Sequence, residues 1–225
     1  LLDPLTLDDV CRVTTVNAKK FFNIGRIDPA KIAYQIRDSL YLNITNRCTN
    51  ACVFCIRQKT DFIKGHNLRL GREPDFQEIV DAIGDPSKYK EVVFCGYGEP
   101  LLRLDLVKQV AEHLKKKKAL VRINTNGQGN LIAGRNIVPE LKGLVDEFSI
   151  SLNVHNSETY DKICPSRFGS QAYQAVKDFA VECRRAGIKT TVTVMDMPGV
   201  DIEACKTIIK ELGVGIRIRH YDVVG

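Results

Sequence analysis

Six short apolar or β-branched runs recur along the chain, and stretches with helical spacing of apolar residues separate them. The runs cover residues 40–45, 91–95, 120–125, 147–152, 190–195 and 215–221. Most are continuous rather than alternating, which is typical of parallel strands buried on both faces. The intervening patterns predict helices over 75–83, 104–118, 138–141, 171–186 and 201–212. Asp201 suits an N-cap, and Gly187 and Gly213 suit C-caps.

This alternation of strand and helix predicts a parallel sheet with right-handed crossovers. Six strand–helix units are two short of a full eightfold barrel. We therefore predict an α/β fold in the form of an open partial (β/α)6 barrel of parallel strands. A doubly wound open sheet is the alternative architecture.

A further helical pattern over residues 3–23 precedes the first strand, with Asp3 and Pro4 as its expected start. We predict that this helix lies outside the alternation, and that a turn near residues 25–29 follows it. The expected division is a helical extension over 1–27 and a core domain over 28–225.

The composition is that of an ordinary globular protein, with 44% hydrophobic and 27% charged residues in 225. No apolar run has the length of a membrane helix, and no signal segment is recognisable, so we expect no membrane span. The chain starts at Leu1, not methionine, which favours a fragment or a processed product. The net charge is +6, but the lysines at 115–118 end a helical pattern, where cations complement the helix dipole. The charge alone therefore identifies no partner.

Three of the eight cysteines, Cys48, Cys52 and Cys55, are clustered at Cys-x3-Cys-x2-Cys spacing after the first strand. Clustered thiols indicate metal binding in a reducing compartment, and we expect the cytoplasm. Soft thiolates select iron–sulfur clusters or zinc. Three ligands to a four-iron cluster leave one iron open to a small chelating molecule. With His66 as a fourth ligand, the same cysteines would instead form a structural zinc site.

The cysteine spacing, with the aromatic Phe54 before the last cysteine, resembles the radical S-adenosylmethionine (radical SAM) superfamily. The resemblance implies a [4Fe–4S] cluster whose free iron binds the amino and carboxylate groups of S-adenosylmethionine. It also implies an electron donor such as flavodoxin or ferredoxin. One electron from the cluster then splits the sulfonium and releases a 5′-deoxyadenosyl radical.

Residues 96–100 end the second predicted strand and resemble the Gly-Gly-Glu-Pro motif of that family, with Tyr97 inserted between Gly96 and Gly98. Glycines allow a backbone to approach a ligand closely. The carboxylate of Glu99 suits a charge-assisted hydrogen bond from an ammonium group. The resemblance implies that this segment binds the amino group of S-adenosylmethionine.

The next strands also end in polar residues, and ligands of parallel α/β folds bind at that edge. Asn126 follows the third strand, and Ser151 and Asn153 lie two apart on the fourth, so we expect them to share a face. The resemblance implies that the fourth-strand pair binds ribose and that Met195 contacts the adenine. Further candidates beside the adenine are Val192, Val194 and residues 219–221.

Other candidate residues have weaker support. We expect a structural role for His155 and an exposed position for Arg167. The remaining cysteines show no metal spacing, and we predict them as small buried hydrophobes: Cys11, Cys95, Cys164, Cys183 and Cys205.

The run over residues 13–22 is similar to the closing helix of TatD-type hydrolases, with a Thr-x-x-Asn-x-x-x-x-Phe pattern at Thr14, Asn17 and Phe22. This similarity implies a TatD-linked radical SAM subfamily and a fused or associated TatD-like hydrolase. A generic amphipathic helix explains the same pattern equally well.

The sequence therefore favours an enzyme that cleaves S-adenosylmethionine reductively and acts on an unidentified substrate. The alternative is an iron–sulfur or zinc scaffold that regulates a hydrolase partner. Because the last strand ends near Gly225, little chain is left to cover the barrel mouth. We expect a large substrate, such as a protein, a peptide or a nucleic acid.

Overall fold

The computed structural model describes residues 6–25 and 29–220. Its strands are β1 (Ala33–Ile36), β2 (Ser39–Leu42), β3 (Phe62–Ile63), β4 (His66–Asn67), β5 (Glu91–Phe94), β6 (Val121–Thr125), β7 (Glu147–Asn153), β8 (Lys189–Asp196) and β9 (Gly215–His220). Its α-helices are α1 (Leu7–Phe22), α2 (Phe76–Ile83), α3 (Leu104–Lys116), α4 (Gly129–Ala133), α5 (Val138–Leu141), α6 (Ser157–Ile163), α7 (Gln171–Arg185) and α8 (Ile202–Leu212).

One seven-stranded sheet organises the fold, in the order β1-β2-β5-β6-β7-β8-β9. The six predicted strands all form, and β2, β5, β6, β7, β8 and β9 are parallel neighbours in chain order. A doubly wound sheet reverses its strand order at a switch point, and this order does not reverse. The open partial barrel is confirmed.

The sequence prediction missed several short elements. Strand β1 extends the sheet antiparallel to β2, and β3 with β4 forms a separate hairpin. Helices α4 and α6 were also missed. These elements are only two to seven residues long, so they offer too few positions for a periodic pattern.

The core lies between the sheet and the helices on its outer face. Phe94 of β5 and Phe148 of β7 are fully buried there, and Phe148 meets Phe179 of α7 edge to face at 5.4 Å between ring centroids. Burial of one such side chain contributes about 1.5–3 kcal/mol. The predicted helix caps are confirmed at Asp201, which caps α8, and at Gly213.

Helix α1 begins later than predicted. Thr6 is its N-cap and forms a capping box with Asp9, whereas Asp3 and Pro4 lie outside the described residues. Asn23 closes the helix in a left-handed conformation, at φ 51°. Residues 26–28, which include most of the predicted turn and the domain boundary, also lie outside the described residues, so the two-domain division stays a prediction.

Helix α1 packs against the β3–β4 hairpin. Arg12 Nε donates to Lys64 O at 3.2 Å, and a Cβ on Gly65 would come within 2.6 Å of Arg12 Cβ. The apolar side chains of Leu7 and Phe21 are 78% and 84% exposed. Within residues 6–25 and 29–220, no helix is both long enough and apolar enough to cross a membrane.

Candidate active site

The candidate site lies at the carboxyl edge of the parallel strands. The cysteine loop (residues 45–55) follows β2, and the motif turn (residues 96–100) follows β5. Asn126 follows β6 directly, and Asn153 ends β7. Because parallel strands end at the same edge of the sheet, four chain segments separated in sequence meet there.

The cysteine loop is fixed by backbone pairing with the anchor segment (residues 163–167), which follows α6. Ala51 N–H donates to Pro165 O at 2.8 Å, and Val53 N–H donates to Ile163 O at 2.9 Å. This antiparallel pairing continues at Asn50. No local sequence pattern marks the anchor segment, because the loop residues that it pairs with lie more than 100 positions earlier in the chain.

A buried polar network fixes the same loop from the other side. The Gln128 side chain is fully buried and donates to Asn50 Oδ1 at 2.8 Å and to the Tyr160 hydroxyl at 3.0 Å. It accepts from the hydroxyls of Thr49 at 2.8 Å and Ser166 at 2.9 Å. Sequence reasoning missed Gln128, because a single glutamine after a strand carries no pattern. A satisfied buried network of this kind holds a loop in one conformation.

The three clustered cysteines are half-buried. Burial raises the pKa of Cys48 to about 11 and also raises the pKa of Cys55. The pKa of Cys52 is raised most of all, first by a hydrogen bond with Cys164 and then by burial. Without metal these groups are therefore protonated thiols at neutral pH. Binding of a metal centre would release their protons.

The described residues do not form the single-ion site with His66 that the sequence left open. Among the described residues, no three His, Cys, Asp or Glu side chains are placed to hold one metal ion. His66 packs its ring against Tyr34, with centroids 5.3 Å apart, rather than joining the cysteines. The zinc site with His66 is therefore wrong. The Asn50 N–H donates to Cys48 Sγ at 3.4 Å, and hydrogen bonds to cysteine sulfur tune iron–sulfur clusters.

Gly96 and Gly98 of the motif turn allow close packing of two backbone segments, a role that was not expected from the sequence. A Cβ on Gly98 would lie 2.6 Å from Thr45 O and would overlap Arg47 O. A Cβ on Gly96 would lie 2.5 Å from Asn43 Cα. Both glycines therefore allow close packing against the start of the cysteine loop, and not only the approach of a ligand.

Tyr97, between these glycines, is buried beside Tyr34 and Leu68 in a small apolar cluster. Its hydroxyl donates to Asp61 Oδ1 at 2.7 Å. The tyrosine thereby connects the motif turn to the segment that follows the cysteine loop. A cavity of about 340 Å³ lies next to it and is also lined by Cys55 and Arg57.

Glu99 is 3% exposed, and its carboxylate is held by its own chain. Oε1 accepts from the Thr125 hydroxyl at 2.8 Å and from Leu101 N–H at 3.1 Å, while Oε2 accepts from Asn126 N–H at 2.7 Å. Burial raises the pKa of Glu99 to about 7. A carboxylate accepts about four hydrogen bonds, so one position on Oε2 remains for a ligand.

Asn126 connects the end of β6 to the cysteine loop, because its side-chain amide donates to Thr49 Oγ1 at 2.6 Å and lies 4.0 Å from Cys48 Sγ. Phe54, in contrast, packs against the main core. Met195 is buried on β8 and pairs in register with Arg219. A role of these three residues in cofactor binding stays a prediction.

Ser151 and Asn153 do not share a face as predicted. The register of β7 with β8 shifts between them, and Asn153 has a left-handed backbone, at φ 66°. The shift pairs Asn153 with Val194, and the Asn153 amide donates to Cys164 Sγ at 3.4 Å. The Ser151 hydroxyl instead accepts a hydrogen bond from the Thr193 hydroxyl, with 3.4 Å between the two oxygens.

The structure also shows the positions of His155, Arg167 and the remaining cysteines, the candidates with weaker support. His155 Nδ1 accepts from Asp201 N–H at 3.0 Å, a structural contact at the start of α8. Arg167 lies over the ring of Phe168, 4.7 Å from its centroid. Among the remaining cysteines, Cys164, Cys183 and Cys205 are buried as predicted, whereas Cys11 is exposed and Cys95 is half-buried.

Comparison with known proteins places this geometry in a family. The sequence model described as "Radical SAM superfamily" matches residues 42–212. The chain is 31% identical over 158 residues to GTP 3′,8-cyclase of Petrotoga mobilis, covering 70% of this chain and 47% of the relative. It is 25% identical over 184 residues to the dual-specificity RNA methyltransferase RlmN of Nautilia profundicola, covering 73% and 48%. The chain thus spans about half the length of these relatives.

A solved structure supports the fold. Streptococcus suis SuiB bound to S-adenosylmethionine superposes with a TM-score of 0.59 at 15% identity, over 93% of this chain and 44% of SuiB. The fold and site together define a partial barrel with a loop of three clustered cysteines at the carboxyl edge of its parallel strands. The chain belongs to the radical SAM superfamily. Enzymes of this family use a [4Fe–4S] cluster and S-adenosylmethionine.

Proposed function

We propose that Cys48, Cys52 and Cys55 hold the [4Fe–4S] cluster, and that this enzyme cleaves S-adenosylmethionine reductively to act on a nucleotide-type substrate. The observation that carries the first part is the meeting of the cysteine loop with the motif turn. The relatives named GTP 3′,8-cyclase and RNA methyltransferase support the second part. When bound, the cluster supplies the electron that splits the sulfonium.

The residues of the chain position both groups. The anchor segment and Gln128 keep the loop rigid, so the thiols are held before metal binds. The free position on Glu99 Oε2 and the main chain of the motif turn suit the amino group of S-adenosylmethionine. We further propose a flavodoxin- or ferredoxin-type electron donor and a cytoplasmic location, where thiols stay reduced.

The function is tested by anaerobic reconstitution with iron and sulfide, followed by dithionite and S-adenosylmethionine. We expect release of 5′-deoxyadenosine, measured by chromatography. A colourless protein that binds zinc and releases no 5′-deoxyadenosine would instead support the scaffold that regulates a hydrolase.

Glu99→Gln should weaken binding of S-adenosylmethionine while leaving the iron content near that of the wild type. Glutamine keeps the shape but carries no charge, and a hydrogen bond to a charged group contributes about 1.5–3 kcal/mol. The expected loss of affinity is roughly ten- to hundred-fold by calorimetric titration. Glu158→Gln, on the exposed start of α6, is the matched control. Unchanged affinity would remove Glu99 from the binding site, and lost iron would make it structural.

We also propose that this chain is TatD-linked, with α1 corresponding to the closing helix of a TatD-like hydrolase that is fused or associated. The exposed apolar side chains of α1 support this, because Asp9 is the one buried residue that α1 contributes within its described length. Leu7, Phe21 and Phe22 therefore present apolar surface that the core does not use.

Removal of residues 1–26 should leave cluster binding intact. Helix α1 contacts the hairpin through Arg12 and Lys64, and it does not contribute to the networks that fix the cysteine loop. Iron content and visible absorption of the truncated protein measure the outcome. A soluble truncated protein that no longer binds the cluster would show that α1 belongs to the core domain.

A further inference from the structure

Cys52 of the cysteine loop lies directly opposite Cys164 of the anchor segment. The main-chain hydrogen bonds of Ala51 and Val53 to the anchor segment lie on either side of this pair, at 2.8 and 2.9 Å. The antiparallel bridge at Asn50 has the same register. In the ladder that these described residues form, the two cysteines therefore occupy a position without main-chain hydrogen bonds, where opposite side chains are closest.

The separation that this position imposes suits a covalent bond between the two sulfur atoms. Opposite residues in such a position have Cα atoms about 4.5 Å apart. A disulfide accepts a Cα separation of roughly 4.4–6.8 Å. The two thiols are also in contact, since a hydrogen bond with Cys164 is the first cause of the raised pKa of Cys52.

The surroundings of Cys164 hold its side chain in place. Its N–H donates to Tyr160 O at 2.7 Å, and the Asn153 amide donates to its Sγ at 3.4 Å. Cys164 is not one of the three proposed cluster ligands. The anchor segment thus keeps a further thiol beside one ligand of the cluster.

Cys52 is the more accessible of the two thiols. It is half-buried, whereas Cys164 is fully buried. Its two neighbours in the loop are open to solvent, because Ala51 is exposed and Val53 is 47% exposed. A small oxidant therefore reaches Cys52 before it reaches Cys164.

We propose that Cys52 and Cys164 form a disulfide when the loop carries no cluster, and that this bond blocks cluster assembly until it is reduced. The inference rests on the proposed function, because it concerns the regulation of the same site. Metal binding needs the deprotonated sulfur of a free cysteine. The Cys52 sulfur therefore bonds either to the cluster or to Cys164.

The oxidant in this step is a small disulfide such as oxidised glutathione. The Cys52 thiolate attacks one of its sulfur atoms, which forms a mixed disulfide and releases one glutathione. Cys164 then attacks the Cys52 sulfur and releases the second glutathione. The two cysteines together lose two electrons and two protons, and the two glutathione thiols carry them away.

Disulfide mapping of the metal-free full chain, incubated with oxidised glutathione, tests the bond. Free thiols are blocked with iodoacetamide before digestion. Trypsin releases residues 48–57 and 163–167 as separate peptides, because lysine or arginine precedes and ends each one. We expect mass spectrometry to find these peptides joined, with the bond at Cys52 and the blocking group on Cys48 and Cys55.

Cys164→Ala should lack this link and retain glutathione on Cys52, because the second thiol is missing. Cys205→Ala removes another fully buried thiol and is the matched control. We expect it to form the link as the wild type does.

Transfer of a preformed [4Fe–4S] cluster from a carrier protein tests the block on assembly. The transfer is followed by visible absorption without free sulfide or thiol, which would reduce the bond. The oxidised wild type should accept no cluster. Treatment with dithiothreitol, followed by its removal, should restore full uptake.

Several results would overturn this inference. A blocking group on Cys164 after oxidation would do so, and so would a disulfide confined to residues 48–57. A link that leaves cluster uptake unchanged would contradict the block on assembly. If no link forms but the reduced protein releases 5′-deoxyadenosine, this inference fails and the proposed function stands. If the reduced protein accepts no cluster, the proposed function fails and the link has no assembly to regulate.

Discussion

Replacing Cys52 with alanine should abolish the visible iron–sulfur absorption of the anaerobically reconstituted protein. The three cysteines are the thiols that the rigid loop presents together, and two remaining ligands do not complete a site that uses three. We expect Cys48→Ala and Cys55→Ala to act in the same way. Iron content and the absorption spectrum measure the loss.

The control for this experiment is Cys164→Ala. Cys164 belongs to the anchor segment that pairs with the cysteine loop, and it is the first cause of the raised pKa of Cys52, so it is the neighbouring thiol most able to replace a ligand. We expect this variant to keep its full iron content. If Cys164→Ala loses iron and Cys52→Ala retains it, the assignment of the three ligands is wrong.

Gly98→Ala should disrupt the start of the cysteine loop and lower both iron content and thermal stability. The added methyl group would come within 2.6 Å of Thr45 O and overlap Arg47 O, which are backbone atoms that cannot move independently of the loop. Overpacking of this kind costs about 1–3 kcal/mol. For a domain of this size, that cost lowers the melting temperature by about 2–12 °C.

Gly71→Ala is the matched control, because a Cβ at Gly71 would have no atom within 4 Å and Gly71 lacks a positive φ. We expect its melting temperature and iron content to equal those of the wild type. Equal behaviour of the two variants would show that the motif glycine serves only the ligand, as the sequence alone suggested.

The parallel strands could be predicted because most are continuous apolar or β-branched runs and helical patterns separate them. The motif residues were found for a related reason, since cysteine spacing and paired glycines are local patterns. Gln128 and the anchor segment could not be found in this way. Their partners are distant in sequence, and their hydrogen bonds depend on how the strands bring Thr49 and Asn50 into reach.

The role of Glu99 shows a second limit of sequence reasoning. Its type and position suggested a carboxylate available to an ammonium group, but not that Thr125, Leu101 and Asn126 would donate to its oxygens and leave one position on Oε2. The prediction that Ser151 and Asn153 share a face failed for a different reason. A register shift in β7 has no signature in a run of Ser, Leu and Asn.

The central claim is that the three cysteines hold a cluster with one iron open to S-adenosylmethionine. Electron paramagnetic resonance of the dithionite-reduced, reconstituted protein tests it most directly, with spectra recorded before and after addition of S-adenosylmethionine. We expect a reduced [4Fe–4S] signal that changes when S-adenosylmethionine is added, because its amino and carboxylate groups then coordinate the open iron. A signal that stays identical, or a protein without any iron–sulfur signal, would contradict the account.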